Sequence, residues 1–222
     1  MDVVGVDGSR GGWVAVRLAD GGFAEARFFD KFSDLAQAYS QATVIAVDIP
    51  IGLPDRNRRA ADERAREVLG GRRNSVFFTP PRRSLEARDF DEAVKVARSL
   101  GATISQQSYA LRRRIFEVEP FVRDPRVVEV HPEVSFWAMN GRRPLPYPKN
   151  TWNGLMMRLE LLRAHGLALP RVIEDIGKAG ADDIIDAAAA AWSAWRVAQG
   201  QAGSLPEHPD TGQSKRPVAI WY

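Results

Sequence analysis

A chain of 222 residues with 45% hydrophobic residues and 9% aromatics has material for one sizeable α/β core, or for one core carrying an insertion. It contains no cysteine, which excludes disulfides, thiolate-bound zinc and thiol nucleophiles, and no apolar run approaches the roughly 20 residues of a membrane span. The net charge of +3 hides an asymmetry: Arg56 to Arg126 holds 17 Lys and Arg against 10 Asp and Glu, so this segment carries +7 and the rest of the chain −4.

The chain opens as a meander. "VVGVD" and "WVAVRLAD" are β-branched runs, the second ending in the turn signal Asp20-Gly21-Gly22, and "FAEARFF" alternates as a third strand. No signal peptide is expected from so direct an entry into a strand and a polar glycine loop, and the expected compartment is the cytoplasm. "SDLAQAYSQ" predicts a short helix capped by Ser33 or Asp34. Thr43 to Val47 is a continuous apolar run, the mark of a strand covered on both faces; Asp48 ends it, and Pro50 and Pro54 forbid its continuation.

Residues 56–125 read differently. "RNRRAADERAREVLGG", "DFDEAVKVARSLG" and "QSYALRRRIFEVEPFV" predict helices around the Pro-rich "SVFFTPPRRS", so the segment is expected to be a mainly helical, basic insertion within a single domain. "RVVEVHPEVSF" then restores the strand signal. "LMMRLELLRAHG" predicts an amphipathic helix stopped by Gly166. The alanine-dense "ADDIIDAAAAAWSAWRVAQG", apolar on nearly every side, predicts a buried helix, and "RPVAIWY" a last strand or a docked tail. A three-strand meander, a helix, a buried strand and further β/α units match the order of the ribonuclease H-like fold, a mixed sheet flanked by helices.

The acids fall at the ends of these elements. Asp7 closes the first strand and Asp48 the fourth; Glu129 and Glu133 bracket the end of the fifth. Asp182, Asp183 and Asp186 begin the last helix, where the three-residue spacing puts Asp183 and Asp186 on one face. Clustered carboxylates raise one another's pKa, and divalent cations offset that cost; Mg²⁺ and Mn²⁺ favour oxygen ligands, and two ions roughly 4 Å apart can clamp the oxygens of phosphoryl transfer. Each acid also has an ordinary role open to it: a turn at Asp7-Gly8, a local cap at Asp48, solvent exposure for Glu129 and Glu133, and helix capping for Asp182, to which capping is mainly assigned. His131 is as well placed for a turn as for a proton shuttle. The glycines fit neither G-x-G-x-x-G nor the P-loop pattern.

"GVDGSRGGW", "DIPIGLP", "EVHPEVSF" and "DDIIDAAAAAW", in that order and with "KNTWNG" between the last two, closely resemble the domain-of-unknown-function 429 family, described as predicted nucleases of the ribonuclease H-like fold. The acids are also placed as in bacterial Holliday-junction resolvases. These resemblances imply Asp7, Asp48, Asp183 and Asp186 as catalytic metal ligands for Mg²⁺ or Mn²⁺, with Glu133 as a fifth catalytic acid. The implied activity is metal-dependent hydrolysis of a phosphodiester in DNA or RNA. Arg10, Arg82 and Arg83 are the expected phosphate-binding residues, and Phe77 and Phe78 either stack bases or anchor the insertion. The basic insertion departs from the resolvase pattern; a lid, a partner surface or a homodimer contact are its open roles. An ATP-binding protein of the actin or sugar-kinase kind duplicates this core, for which 222 residues without a repeat are too few; a non-catalytic adaptor retaining the fold is the other alternative.

Overall fold

A computed structural model describes residues 1–174, 176–211 and 216–222. The meander forms as its patterning requires: β1 (Asp2–Ser9), β2 (Gly12–Ala19) and β3 (Gly22–Phe29) pair antiparallel, with turns through Gly11 and Gly21 at φ of +85° and +83°. A short helix, α1 (Phe32–Ala38), leads to β4 (Val44–Val47), which pairs parallel to β1; β5 (Val127–Glu129) pairs parallel to β4. The sheet order is β3-β2-β1-β4-β5, the arrangement of the ribonuclease H-like fold. All four residues of β4 are buried, as its unbroken apolar run demands.

Between β4 and β5 lie α2 (Ala60–Leu69), a 3₁₀ segment over Gly70–Ser75, and the helices α3 (Arg82–Leu85), α4 (Phe90–Ser99), α5 (Gln106–Ala110) and α6 (Arg112–Val118). After β5 come α7 (Pro132–Met139), α8 (Trp152–Ala164) and α9 (Ala181–Ala198), then the small pair β6 (Ser204–Leu205) and β7 (Ile220–Trp221). Trp221 also bridges to Val130, so the tail both pairs and docks.

Alternation divides the sheet into two cores. Val3, Val14, Val16, Leu18, Val44, Ala46 and Val128 pack with α7, α8 and α9, while Val4, Val6, Trp13, Ala15, Ile45, Val47 and Val127 pack with α1 and α6 on the opposite face. A third cluster joins Ala61, Ala65 and Leu69 of α2 to Val134 and Trp137 of α7 and to Ile220 and Tyr222. α9 lies directly against β1: a methyl at Gly5 would stand 2.0 Å from the Ala191 amide nitrogen and 2.2 Å from the Ala187 carbonyl oxygen. Glycine on the strand and alanines on the helix allow this approach.

Three local expectations change. Neither Ser33 nor Asp34 caps α1; Lys31 holds the cap position, and the Phe32 amide donates instead to Glu117 Oε1 of α6 at 2.6 Å. "EVHPEVSF" is not one strand: Pro132 takes the first turn of α7, and His131, as N-cap, accepts from the Glu133 amide. "QSYALRRRIFEVEPFV" divides into α5 and α6 followed by a 3₁₀ turn over Glu119–Phe121.

Candidate active site

Strand phase decides which acids meet. Val3 and Gly5 on β1, and Val44 and Ala46 on β4, face α9. Asp7 and Asp48, each two residues further on, leave the sheet toward that same side. The β1–β4 register pairs Val6 with Val47, and the Asp48 amide donates to the Val6 carbonyl at 2.9 Å, so the two acids are neighbours at the C-terminal rim. Asp183 and Asp186 of α9 line the same cleft, of about 410 Å³. Four of the five predicted acids therefore converge from β1, β4 and α9.

Their partners separate them. Asp183 Oδ2 accepts from Ser9 Oγ at 2.6 Å and from the Gly180 amide at 3.1 Å, closing the first turn of α9. That is the capping role expected of Asp182, which lies instead 3.5 Å from Lys149. Lys149, in the loop before α8, places Nζ 2.7 Å from Asp186 Oδ2. Asp7 accepts only from its neighbouring Gly8 amide, at 2.7 Å, among the described residues.

Electrostatics follow from burial and crowding. Burial pushes the Asp7 carboxyl well above its usual range, and Asp48 and Asp186 push it further, with Lys149 opposing. Burial also raises Asp48, with Lys149 opposing. Asp186 is raised to about 6 by burial, with Lys149 opposing and Asp48 adding to it. The Lys149 ammonium resists the lowering effect of burial because Asp186, Asp7 and Asp182 hold it charged, above its ordinary value.

Glu133 lines the cleft but is neutralised: Arg158 donates to Oε2 at 2.7 Å and Arg72 to Oε1 at 3.2 Å, and Arg158 is fully buried. It ties α7 to α8 and to the 3₁₀ segment, and two guanidiniums leave it poorly suited to be a fifth acid. Glu129 is not solvent-facing. It leaves β5 on the insertion side, opposite Val128 and Val130, where Arg59 binds both its oxygens at 2.8 Å and also donates to buried Asp62. His131 Nδ1 accepts from the Glu133 amide at 3.2 Å while Nε2 faces the Ser75 carbonyl at 3.3 Å, a pairing that assigns the proton to Nε2.

The predicted arginines lie elsewhere. Arg10 is exposed at the β1–β2 turn, Arg83 is exposed on α3, and Arg82 pairs with Glu119 and, at 3.6 Å, with Glu86; none lines the cleft. The cations that do line it are Arg59, Arg72, Arg114 and Lys149. Arg114 of α6 lies over Gly8, where an added methyl would be 2.0 Å from its Nη1, and donates to the Ser9 carbonyl.

A family model described as protein of unknown function (DUF429) matches residues 5–211. The chain belongs to this family. No curated protein and no solved structure matches it. The match to the DUF429 model takes in β1 from Gly5, the whole insertion and α9, hence every residue of the cleft except Ile220. Among the described residues of this DUF429 protein, no three His, Cys, Asp or Glu side chains are grouped so as to hold a metal ion. Several of these acids already have partners: Lys149 pairs with Asp186, Ser9 and the Gly180 amide donate to Asp183, and two arginines hold Glu133. Sequence reasoning missed Lys149 as a member of the site, and Arg114 among three successive arginines, because neither lies on a periodic pattern that points inward.

Proposed function

We propose that this protein is a metal-dependent phosphodiesterase acting on nucleic acid, DNA or RNA, with Mg²⁺ or Mn²⁺ as its cation. The observation that carries the reading is the convergence of Asp7, Asp48 and Asp186 from three elements in one cleft whose facing wall, built by the insertion, presents arginines. The donor chemistry fits, although among the described residues the carboxylates as they stand are not grouped as ligands: an all-carboxylate set without sulfur or free imidazole suits a hard divalent ion, and a cation would offset the burial and the Asp48 and Asp186 charges that raise Asp7. Asp7, Asp48 and Asp186 would hold the ion, with Asp183 beside them keeping the start of α9 in place. Once bound, the cation supplies Lewis-acid polarisation of the phosphoryl group and an activated water.

The chain's own residues do the rest. Burial raises the carboxyl pKa of both Asp7 and Asp186, so a cation competes there with protons and its affinity rises with pH. Lys149 stabilises Asp186 and, half-exposed, is within reach of an incoming phosphate. Arg72, fixed by Glu133, gives the facing wall a positioned charge.

The first test is calorimetric Mn²⁺ titration of the wild type and of Asp48→Asn, followed by cleavage assays on single-stranded, hybrid and junction substrates with and without EDTA. Saturable binding that Asp48→Asn abolishes, with EDTA-sensitive cleavage, is the expected result. A second reading draws on Lys149: an ammonium 2.7 Å from Asp186 is the built-in counter-ion of a metal-free binding protein retaining the fold. Absence of saturable Mn²⁺ binding at millimolar concentration would favour it.

A further inference from the structure

The cleft is small and has two fixed walls. Its volume of about 410 Å³ falls within the roughly 300–1,000 Å³ that single small ligands fill. One wall is the acid rim of β1 and β4; the other is supplied by the insertion through Arg72, Phe77 and Arg114. Phe77 is half-buried and has no ring partner among the described residues. Its position is set by its neighbours. Phe78 is clamped between the guanidiniums of Arg58 and Arg66, 3.9 and 4.5 Å from its ring centre, and the Thr79 amide donates to buried Asp62 at 2.6 Å. Phe77 thus lines a cleft in which charged side chains stand among apolar ones such as Val76, Leu111 and Ile220.

Arg114 is the second element. Among the described residues it forms no ion pair with a carboxylate, in contrast to Arg59 and Arg72; it donates to the Ser9 carbonyl, lies 5.6 Å from the Trp13 ring centre, and places Nη1 beside Gly8, the residue after Asp7. A guanidinium without a carboxylate counter-ion, lining the cleft, has donors free for a phosphate oxygen.

We propose that the cleft accepts one unpaired nucleotide unit, its base on Phe77 and its phosphate on Arg114, so that the substrate is a single strand or a free nucleotide and not a duplex. This rests on the phosphodiesterase reading for the class of ligand and adds its form: a base pair with both its backbones would need about twice the space of one unpaired unit. Sequence-tolerant stacking on a single ring predicts weak base preference.

The test is fluorescence anisotropy in EDTA with a labelled single strand of about ten nucleotides and with the same strand in a blunt duplex, using wild type, Phe77→Ala, Phe77→Tyr and Arg114→Gln. The single strand should bind at least about tenfold tighter than the duplex, and Phe77→Ala should weaken it roughly five- to hundredfold while Phe77→Tyr restores it. Arg114→Gln should weaken binding and lower the salt slope by about one charge. Displacement by a nucleoside monophosphate at micromolar concentration would identify the free nucleotide as ligand; displacement only by strands would identify the polymer, and both outcomes support the unpaired unit. Equal or tighter duplex binding, or Phe77→Ala binding like wild type with an unchanged circular dichroism spectrum, overturns it. Mn²⁺-dependent cleavage of duplex but not of single strand would refute this inference and leave the phosphodiesterase reading standing; single-strand binding without any cleavage would do the reverse.

Discussion

Gly5→Ala is the most informative single perturbation of the scaffold. The new methyl would lie 2.0 Å from the Ala191 nitrogen, 2.2 Å from the Ala187 oxygen and 2.6 Å from the Ala190 carbonyl carbon, where ordinary contact begins at 3.4 Å. All three are backbone atoms of α9, so no side chain can rotate away, and the helix must retreat from the sheet by about 1 Å. Overpacking of this kind costs about 3 kcal/mol, at the upper end of the usual range because the obstruction is rigid. For a chain of this size that corresponds to a fall in Tm of about 6–12 °C. Because α9 carries Asp183 and Asp186, Mn²⁺ affinity should fall with it. Gly71→Ala is the control: nothing lies within 4 Å of its new methyl, and stability should stay within about 1 kcal/mol of wild type. Thermal unfolding by circular dichroism, with urea titration, reads both. A Gly5→Ala protein melting within about 2 °C of wild type would show that α9 does not pack on β1 as described.

Three further outcomes follow from the charge network. Asp186, whose folded pKa is raised to about 6 from the ordinary 3.8, binds its proton more tightly when folded, so its contribution to stability is lost as pH rises from about 4 through 6. In EDTA, Asp186→Asn should therefore gain on wild type across that interval, by about 2–3 kcal/mol at pH 7.5; a pH-independent difference in urea midpoints would contradict the assignment. Lys149→Gln removes the cation competing for Asp186, and calorimetry at pH 8 should show Mn²⁺ binding about tenfold tighter; unchanged or weaker binding would contradict the competition. Arg59→Met strands buried Glu129 and Asp62 without their shared cation, and should cost about 3–5 kcal/mol in chemical denaturation, most of it recovered when Glu129→Gln and Asp62→Asn are added.

The strands and the closing helix were legible because their evidence is local. The β-branched runs of β1, β2 and β4 and the alanine density of α9 each express a burial requirement in consecutive residues. Asp7 and Asp48 could be paired for a related reason: each terminates a strand, and the ribonuclease H-like order puts the first and fourth strands side by side. Glu129 and Glu133 show where this stops. Both read as rim acids, yet Glu129 leaves β5 toward the insertion and Glu133 opens a helix, and each meets arginine. The phase of a three-residue strand and the proline that starts α7 settle that difference, and neither is visible in the spacing of acids alone.

The sequence by itself determined the elements, the sheet order they favour and the clustering of carboxylates at one rim, since periodicity and strand ends are properties of adjacent residues. Only the tertiary structure decided the cations. Arg10, Arg82 and Arg83 had composition in their favour, but Arg114 and Arg72 reach the cleft because the insertion folds back over β1 and β4, and Lys149 reaches it from the loop before α8. A guanidinium's partner is chosen by contacts between residues as distant as Arg114 and Ser9, and helix packing, which no local pattern encodes, fixes those contacts.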